Sequence, residues 1–218
     1  MKARIRLSAL LVGVLAAAGV SAQSAREAPG STYASLANLP DWSGWWGFPQ
    51  AGPDELKAQP LPLKPAAAAA AKAAGPDADP LRYCRPWQFT GSNGGFTEAV
   101  EFLFTPGRVT ITNERGMLRR IYTDGRGEPA PEDFWPTYTG YNVGHWEKDT
   151  LVVDTVNFTA KAPFQGSTEK LHLIERYTLQ DDKTLSYEFT MEDESAYTRP
   201  WTVQFPMLRN PDRMYEYG

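Results

Sequence analysis

The chain has 218 residues, of which 42% are hydrophobic and 22% charged, so it holds enough apolar material for a folded core and is not wholly disordered. Its 22 basic and 26 acidic side chains give a net charge of −4, which lacks the basic excess typical of nucleic-acid-binding proteins. The 7 Trp, 10 Tyr and 10 Phe residues favour β-structure or a ligand-lined cavity over a helical bundle.

The first 22 residues have the pattern of a secretory signal peptide. Lys2, Arg4 and Arg6 precede an apolar stretch from Leu7 to Val20, and small residues follow up to Ala22. We expect cleavage near Ala22 and a periplasmic or secreted product. The apolar stretch is shorter than the roughly 20 residues that span a bilayer, so stable membrane insertion is not expected.

Residues 23–80 are predicted to form an extended segment rich in proline and alanine. Five prolines between positions 49 and 65 exclude a continuous helix there. Pro65 then opens Ala66–Ala74, which is predicted to be a short helix that leans on the main body, or alternatively a low-complexity spacer. The stretch Trp42–Phe48 holds four aromatic residues and is predicted to be a strand.

Apolar and polar residues alternate from Val100 onward, and turn residues separate the alternating runs. The alternation predicts eight strands, at Val100–Thr105, Arg108–Asn113, Leu118–Thr123, Val143–Trp146, Leu151–Phe158, Leu171–Leu179, Thr184–Met191 and Trp201–Leu208. Trp42–Phe48 is predicted to join them in a barrel of about eight strands.

Side-chain parity fixes the register of two predicted hairpins. A two-residue loop at Pro106-Gly107 brings apolar residues opposite each other on one face. A three-residue loop at Asp181-Asp182-Lys183 aligns Tyr177 with Tyr187, whereas a two-residue loop would mix the two faces.

Sequential strands with few helices predict an all-β fold, an antiparallel meander closed into a lipocalin-like barrel over residues 81–218, with one short N-terminal Ala-rich helix. Gly44-Trp45-Trp46 is similar to the Gly-x-Trp element that opens the first strand of lipocalins. Eight strands enclose room for one small ligand. A two-sheet sandwich is the alternative architecture.

Several stretches resemble an uncharacterised family of secreted bacterial β-rich proteins. They are Thr105-Pro-Gly-Arg-Val109, Arg119-Arg-Ile-Tyr-Thr-Asp-Gly-Arg126, Gly144-His-Trp-Glu-Lys-Asp-Thr-Leu-Val-Val-Asp-Thr155, Glu175-Arg-Tyr177 and Ala196-Tyr-Thr-Arg-Pro-Trp201, and they span most of residues 82–202. The resemblance implies a secreted, β-rich product and carries no established activity. Typical members have His at the position where this chain has Glu128, and again near Tyr141-Asn142. A role of those histidines is therefore not carried over to this chain.

Glu175 is the most informative residue, because the register places it on an apolar face beside Tyr177 and opposite Phe189. A carboxylate there must be paired, hydrogen-bonded or protonated. It is a candidate general acid/base or a ligand anchor, and alternatively a structural ion pair or a hydrogen-bond partner of tyrosine. Its natural partner is Arg120, which a two-residue loop at Arg115-Gly116 turns inward with Tyr122, whereas a three-residue loop exposes it.

Further candidate residues are His145 and Asp154, which share a column of the predicted sheet and are expected to form a hydrogen bond. Both faces of the strand that carries Asp154 are apolar, so we expect this residue to be buried. His172 points away from Glu175 and lies across from Glu192, which is typical of solvent-facing charge pairing. No metal site is therefore predicted.

Known catalytic and cofactor motifs are absent from the sequence, and no cofactor is predicted. The single cysteine, Cys84, excludes an internal disulfide and is a buried thiol, an intermolecular bridge or a nucleophile.

Three functional hypotheses follow. The leading one is a periplasmic or secreted barrel that binds a small, partly apolar or aromatic molecule, with Glu175 and Arg120 or Asp154 at its polar end. The predicted ligand-binding wall consists of Phe102, Tyr177, Tyr187, Phe189 and Trp146.

One alternative hypothesis is a cofactor-independent lyase or isomerase with Glu175 as base, in which Arg120, Tyr122 or His145 stabilises developing negative charge. Another is an envelope interaction module that exposes Trp42–Phe48 and the proline-rich segment. The sequence gives neither the ligand nor the oligomeric state.

Overall fold

A computed structural model of the protein describes residues 28–47, 60–74, 99–114, 116–161 and 163–210. The α-helices are α1 (Tyr33–Leu36) and α2 (Pro65–Ala74), and Pro131–Asp133 form one 3₁₀ turn. The strands are β1 (Trp45–Gly47), β2 (Val100–Thr105), β3 (Arg108–Asn113), β4 (Leu118–Tyr122), β5 (Tyr141–Glu147), β6 (Thr150–Val156), β7 (His172–Leu179), β8 (Thr184–Glu192) and β9 (Trp201–Asn210). The predicted signal peptide, Cys84 and Phe48 lie outside the described residues.

The nine strands form a closed barrel in which each strand pairs with its neighbours in the sequence and β9 pairs with β1. This confirms a closed all-β barrel, with nine strands instead of about eight, and the likeness to lipocalins stays a prediction. The purely antiparallel meander is wrong at one point, because β4 and β5 run parallel. Each antiparallel pairing reverses the direction of the chain, so a closed ring with an odd number of strands needs a parallel pair. Residues 123–140 supply the long crossover that a parallel pair requires.

The two predicted hairpin registers are confirmed. Phe102 lies opposite Ile111 in the β2–β3 hairpin, where Gly107 takes the left-handed φ of 70° that its turn requires. Tyr177 lies opposite Tyr187 in the β7–β8 hairpin. Burial alternates strictly along β8 and most of β9, as expected for strands with one face on the core.

The barrel interior is packed with apolar and aromatic side chains. Its fully buried members include Ile121, Leu151, Leu173, Leu185, Phe189, Met191 and Met207. Trp42 and Trp46 belong to the same core and are 2% and 0% exposed. The prediction that the Trp42–Phe48 stretch forms an exposed docking surface is therefore wrong for these two residues, since their rings fill the barrel instead.

The two ends of the barrel are covered by different parts of the chain. At one end, which we call the α1 end, the Gly107 amide of the β2–β3 turn donates a hydrogen bond of 2.9 Å to the Gly30 oxygen. At the opposite α2 end, Leu63 pairs with Tyr197, and Ala67 of α2 packs on the core. This confirms the predicted Ala-rich helix and its contact with the main body. Neither described helix is long and apolar enough to cross a membrane.

Candidate functional site

Glu175 lies inside the barrel, as the alternation of inward and outward side chains along β7 predicts. Its side chain is 0% exposed, it pairs across the sheet with Phe189, and Leu173 and Tyr177 flank it on the same face. A carboxylate in such surroundings requires charged or hydrogen-bonding partners, because an isolated buried charge loses its hydration without compensation. Those partners come from Arg119 on β4, Tyr177 on β7 itself and Tyr187 on β8.

The partner of Glu175 is Arg119, so the prediction that Arg120 is its partner is wrong. Arg119 Nη1 donates to Glu175 Oε1 at 2.9 Å and Nη2 contacts Oε2, so the two side chains form a bidentate ion pair. The β3–β4 register places Arg119 opposite Ile111 and Arg120 opposite Thr110. This register corresponds to the three-residue loop, which turns Arg120 outward and brings its neighbour into the barrel.

Two tyrosine hydroxyls complete the coordination of the carboxylate. Tyr177 and Tyr187 each donate to Glu175 Oε1 at 2.8 Å, and their rings stack with centroids 4.6 Å apart. Oε1 therefore accepts three hydrogen bonds, counting the one from Arg119. A tyrosine hydrogen bond to Glu175 is one of the alternatives that the sequence left open.

The guanidinium group of Arg119 also binds two neutral residues. Its Nε donates to Asn142 Oδ1 at 2.6 Å, and its Nη2 donates to Thr155 Oγ1 at 2.9 Å. Thr155 Oγ1 in turn donates to the same Asn142 oxygen at 3.0 Å. We call Arg119, Asn142, Thr155, Glu175 and the two tyrosines the buried polar cluster. It spans β4, β5, β6, β7 and β8 and so ties most of the barrel wall together.

Protonation in the buried polar cluster follows from its burial and its charges. Burial raises the pKa values of Tyr177 and Tyr187 well above their usual range, and the neighbouring Glu175 charge raises them further. Burial alone lowers the pKa of Arg119, but the Glu175 carboxylate outweighs it and the pKa lies above the ordinary value. At neutral pH the tyrosines are therefore neutral donors and Arg119 is a cation.

Four predicted catalytic residues lie outside the barrel interior and do not approach Glu175. His145 is 57% exposed and its Nε2 lies 3.2 Å from Glu147 Oε1. Tyr122 lies on the outer face, where the Arg126 guanidinium sits 4.0 Å above its ring. Arg120 is exposed on the same face. The arrangement brings none of these three together with the buried carboxylate.

Asp154, the fourth of them, binds a different histidine from the one predicted. Its Oδ1 lies 3.2 Å from His172 Nε2, and His172 Nδ1 lies 3.1 Å from Glu192 Oε2. The Asp154 side chain is 32% exposed, so its predicted burial is wrong as well. The pairing of His172 with Glu192 across the sheet is confirmed. Within the described ranges, no three His, Cys, Asp or Glu side chains are grouped as metal ligands.

The five predicted ligand-binding aromatics all lie on the inner face of the barrel, although their binding role stays a prediction. Tyr177, Tyr187 and Phe189 pack against one another in its middle. Phe102 contacts Tyr177 with ring centroids 5.3 Å apart. These rings fill the space beside Glu175, so the described interior holds packed side chains around the carboxylate.

An open groove lies at the α1 end, above the packed rings. It has a volume of about 390 Å³ and is lined by Leu36, Ala37, Leu39, Pro40, Asp41, Trp42, Ser43, Phe102 and Phe104. We call this space the α1-end groove. The predicted ligand-binding wall includes Phe102 but not Trp42, whose ring contacts Phe102, Phe104 and Trp146. The cluster of aromatics at Trp42–Phe48 is the signal that pointed there.

A second groove lies at the α2 end. Its volume is about 830 Å³, and its lining includes Lys64, Lys170, His172, Glu192 and Arg199. Charges of both signs line it, and two of the charged residues, His172 and Glu192, pair with each other at 3.1 Å.

Comparisons of the chain with protein-family models, with curated proteins and with solved structures find no match.

Proposed function

We propose that the protein is a binding barrel for a small, partly apolar molecule, which it holds in the α1-end groove. The observation that carries the proposal is an aromatic wall made by Trp42, Phe102 and Phe104 around a space of about 390 Å³. Small-molecule sites have volumes of roughly 300–1,000 Å³ and are lined mainly by apolar and aromatic side chains. The groove meets both criteria.

Glu175 has a structural role in this proposal. Its carboxylate is fully buried and both its oxygens are occupied by Arg119 and the tyrosines. A general base must come within hydrogen-bond reach of the proton that it takes, and no described open space reaches this carboxylate. The lyase or isomerase hypothesis therefore has no supporting observation among the described residues.

Export to the periplasm or beyond the cell is part of the proposal. The basic residues before the apolar stretch Leu7–Val20 support it, since this order is typical of secretory signal peptides. Detection of a mature N-terminus near Gln23 in protein from the producing cell tests this part by itself.

Binding can be tested with N-phenyl-1-naphthylamine, a neutral apolar dye whose fluorescence rises in apolar surroundings. We expect saturable one-to-one binding by the full chain. Trp42→Ala should weaken binding at least tenfold, or about 1.4 kcal/mol, because it removes the largest ring of the wall. Trp135→Ala is the matched control, since Trp135 is 88% exposed on the β4–β5 crossover.

A second variant covers the case in which Trp42→Ala fails to fold. Phe104 is only half-buried, so Phe104→Ala costs less stability while still altering the groove. Dye binding that is absent from the wild-type protein, or that neither groove variant changes, contradicts the proposal. Circular dichroism of each variant shows whether a loss of binding reflects a loss of fold.

A further inference from the structure

We propose that the outer face of β2, β3 and β4 is a docking surface for the phosphate headgroups of an anionic lipid layer, which the protein binds peripherally. The surface combines two arginines, two leucines and one tyrosine, and we call it the wall patch: Leu103, Arg108, Leu118, Arg120 and Tyr122. This inference goes beyond the proposed binding of a small molecule and does not depend on it.

The strand register brings the side chains of the wall patch together. Arg108 of β3 lies opposite Tyr122 of β4, and Arg120 precedes Tyr122 by two residues, so all three share the outer face. Leu103 and Arg120 lie on either side of Thr110 in the same row of the sheet. Arg108 and Arg120 are diagonal neighbours on an antiparallel pair, a relation that corresponds to about 7–8 Å. The two guanidinium groups can therefore reach the same or adjacent phosphates.

The first argument is that these arginines lack counter-ions. Arg108 and Arg120 are exposed, and neither forms an ion pair with another residue that the structure describes. Arg176 on β7, by contrast, binds Glu147 at 2.6 Å. Two like charges this close repel each other, so an anion from outside the chain would stabilise them. The planar guanidinium group suits phosphate, because it donates two parallel hydrogen bonds to such an anion.

The second argument is that exposed leucines accompany the arginines. Leu103 and Leu118 are 43% and 45% exposed, and Leu118 lies two residues before Arg120 on the same face of β4. A single exposed leucine needs no explanation. Leucines next to unpaired arginines indicate a partner that is both apolar and anionic. At a lipid surface, leucine side chains enter the apolar region while arginine side chains reach the headgroups.

The third argument is the shape and charge of the wall patch. None of its residues lines either groove, so its partner is an extended surface and not an enclosed molecule. Glu101 also lies on the outer face of β2, but at the end of the strand away from Arg108. The net charge of −4 does not oppose docking at this wall, because physiological salt screens charges farther than about 8 Å away.

Anionic phospholipids offer phosphate oxygens and apolar chains together. Free phosphate and a polar acidic polypeptide match only the arginines of the wall patch. The leucines therefore favour a lipid layer over both.

Vesicle flotation with the full chain tests the inference. One set of vesicles is pure phosphatidylcholine, and the other holds phosphatidylcholine and phosphatidylglycerol in a two-to-one ratio. We expect binding to the anionic vesicles alone. Arg108→Gln with Arg120→Gln should weaken it about thirtyfold, or about 2 kcal/mol, since two arginines leave the anionic surface. Arg176→Gln with Arg199→Gln is the matched control, because it removes the same charge from other surface positions.

A leucine variant tests the apolar part of the wall patch. Leu103→Ser should weaken binding severalfold at every salt concentration, whereas the effect of the arginine variant should shrink as salt screens the charges. Leu208→Ser is the matched control, since Leu208 is 50% exposed on β9. All the substituted side chains lie at the surface, so each variant should fold, and circular dichroism checks this.

Several outcomes would overturn the inference. They include absence of vesicle binding, equal binding to neutral and anionic vesicles, and equal losses in the arginine variant and its control. Displacement by inorganic phosphate would show an isolated anion site. Displacement by polyglutamate, with no effect of Leu103→Ser, would show an acidic protein partner.

A dimer in native mass spectrometry that Arg108→Gln with Arg120→Gln dissociates would show that a second copy covers the wall patch, which also overturns the inference. Binding of N-phenyl-1-naphthylamine in the absence of vesicles is measured separately. Its presence or absence decides the proposed function and leaves the result for the wall patch unchanged.

Discussion

The substitution Glu175→Gln tests whether the buried polar cluster holds the barrel together. It keeps the size of the side chain and removes its charge, so the Arg119 guanidinium, 2% exposed, stays buried without an anion. Breaking a buried ion pair by removing one partner costs about 3–5 kcal/mol. Total domain stabilities are about 5–15 kcal/mol. We therefore expect a large fall in the free energy of unfolding.

Urea denaturation followed by tryptophan fluorescence measures this cost, and Glu147→Gln is the matched control. Glu147 also binds an arginine, since Arg176 Nη2 donates to its Oε2 at 2.6 Å, but the two side chains are 39% and 49% exposed. Exposed pairs contribute about 0–1 kcal/mol. Equal losses of stability in Glu175→Gln and Glu147→Gln would refute the argument from burial.

Removing both partners of the buried pair sharpens the test. In the double variant Arg119→Met with Glu175→Gln, no uncompensated charge remains, so the loss should be smaller than the sum of the two single losses. The same variants bear on the lyase or isomerase hypothesis, which expects Glu175→Gln to keep its fold while losing turnover. Additive losses would show that Arg119 and Glu175 act independently, against the bidentate contact.

Two further predictions concern pH and backbone conformation. Because burial and the Glu175 charge raise the pKa of Tyr177 in the folded state, its contribution to stability is complete below the unfolded pKa of about 10 and falls above it, by up to about 1.4 kcal/mol per pH unit. Urea titrations at several pH values should show a shallower alkaline loss in Tyr177→Phe and no change in the exposed control Tyr33→Phe, and equal slopes in all three proteins would contradict this. Gly140→Ala should destabilise the barrel more than Gly125→Ala, since both glycines have positive φ but only at Gly140 would a Cβ atom approach backbone, 2.7 Å from the Val156 oxygen. Equal thermal midpoints of the two glycine variants would contradict that expectation.

Most of the barrel could be predicted from the sequence because side chains alternate with a period of two. That alternation, with turn residues such as Pro106-Gly107, fixed the β2–β3 and β7–β8 registers and put Glu175 inside. The parallel β4–β5 pair could not be predicted in this way. The alternation of side chains does not show whether two paired strands run parallel or antiparallel. The long crossover at residues 123–140 has no periodic pattern of its own.

Arg119 pairs with Glu175 in place of the predicted Arg120, which shows how one loop residue decides the chemistry of a site. Neighbouring arginines on a strand point to opposite faces, so the length of the β3–β4 loop alone selects the inner one. Asn113 Oδ1 accepts a hydrogen bond from the Met117 amide at 3.0 Å, and Gly116 has a left-handed φ of 70°. Local turn chemistry of this kind accompanies the longer loop. The need of Glu175 for a cation was visible in the sequence, and the choice of cation was not.

The hydrogen bonding of Glu175 shows which part of the barrel interior is already satisfied from within the chain, and residue type alone does not show this. The sequence pattern singles out Glu175, yet Arg119, Tyr177 and Tyr187 already bind its carboxylate from within the chain. Trp42 has the sequence pattern of a core aromatic, yet it lines the α1-end groove beside Phe102 and Phe104. Because Glu175 needs no partner from outside the chain, the structure moves the binding hypothesis from the acid in the middle of the barrel to the groove at its α1 end.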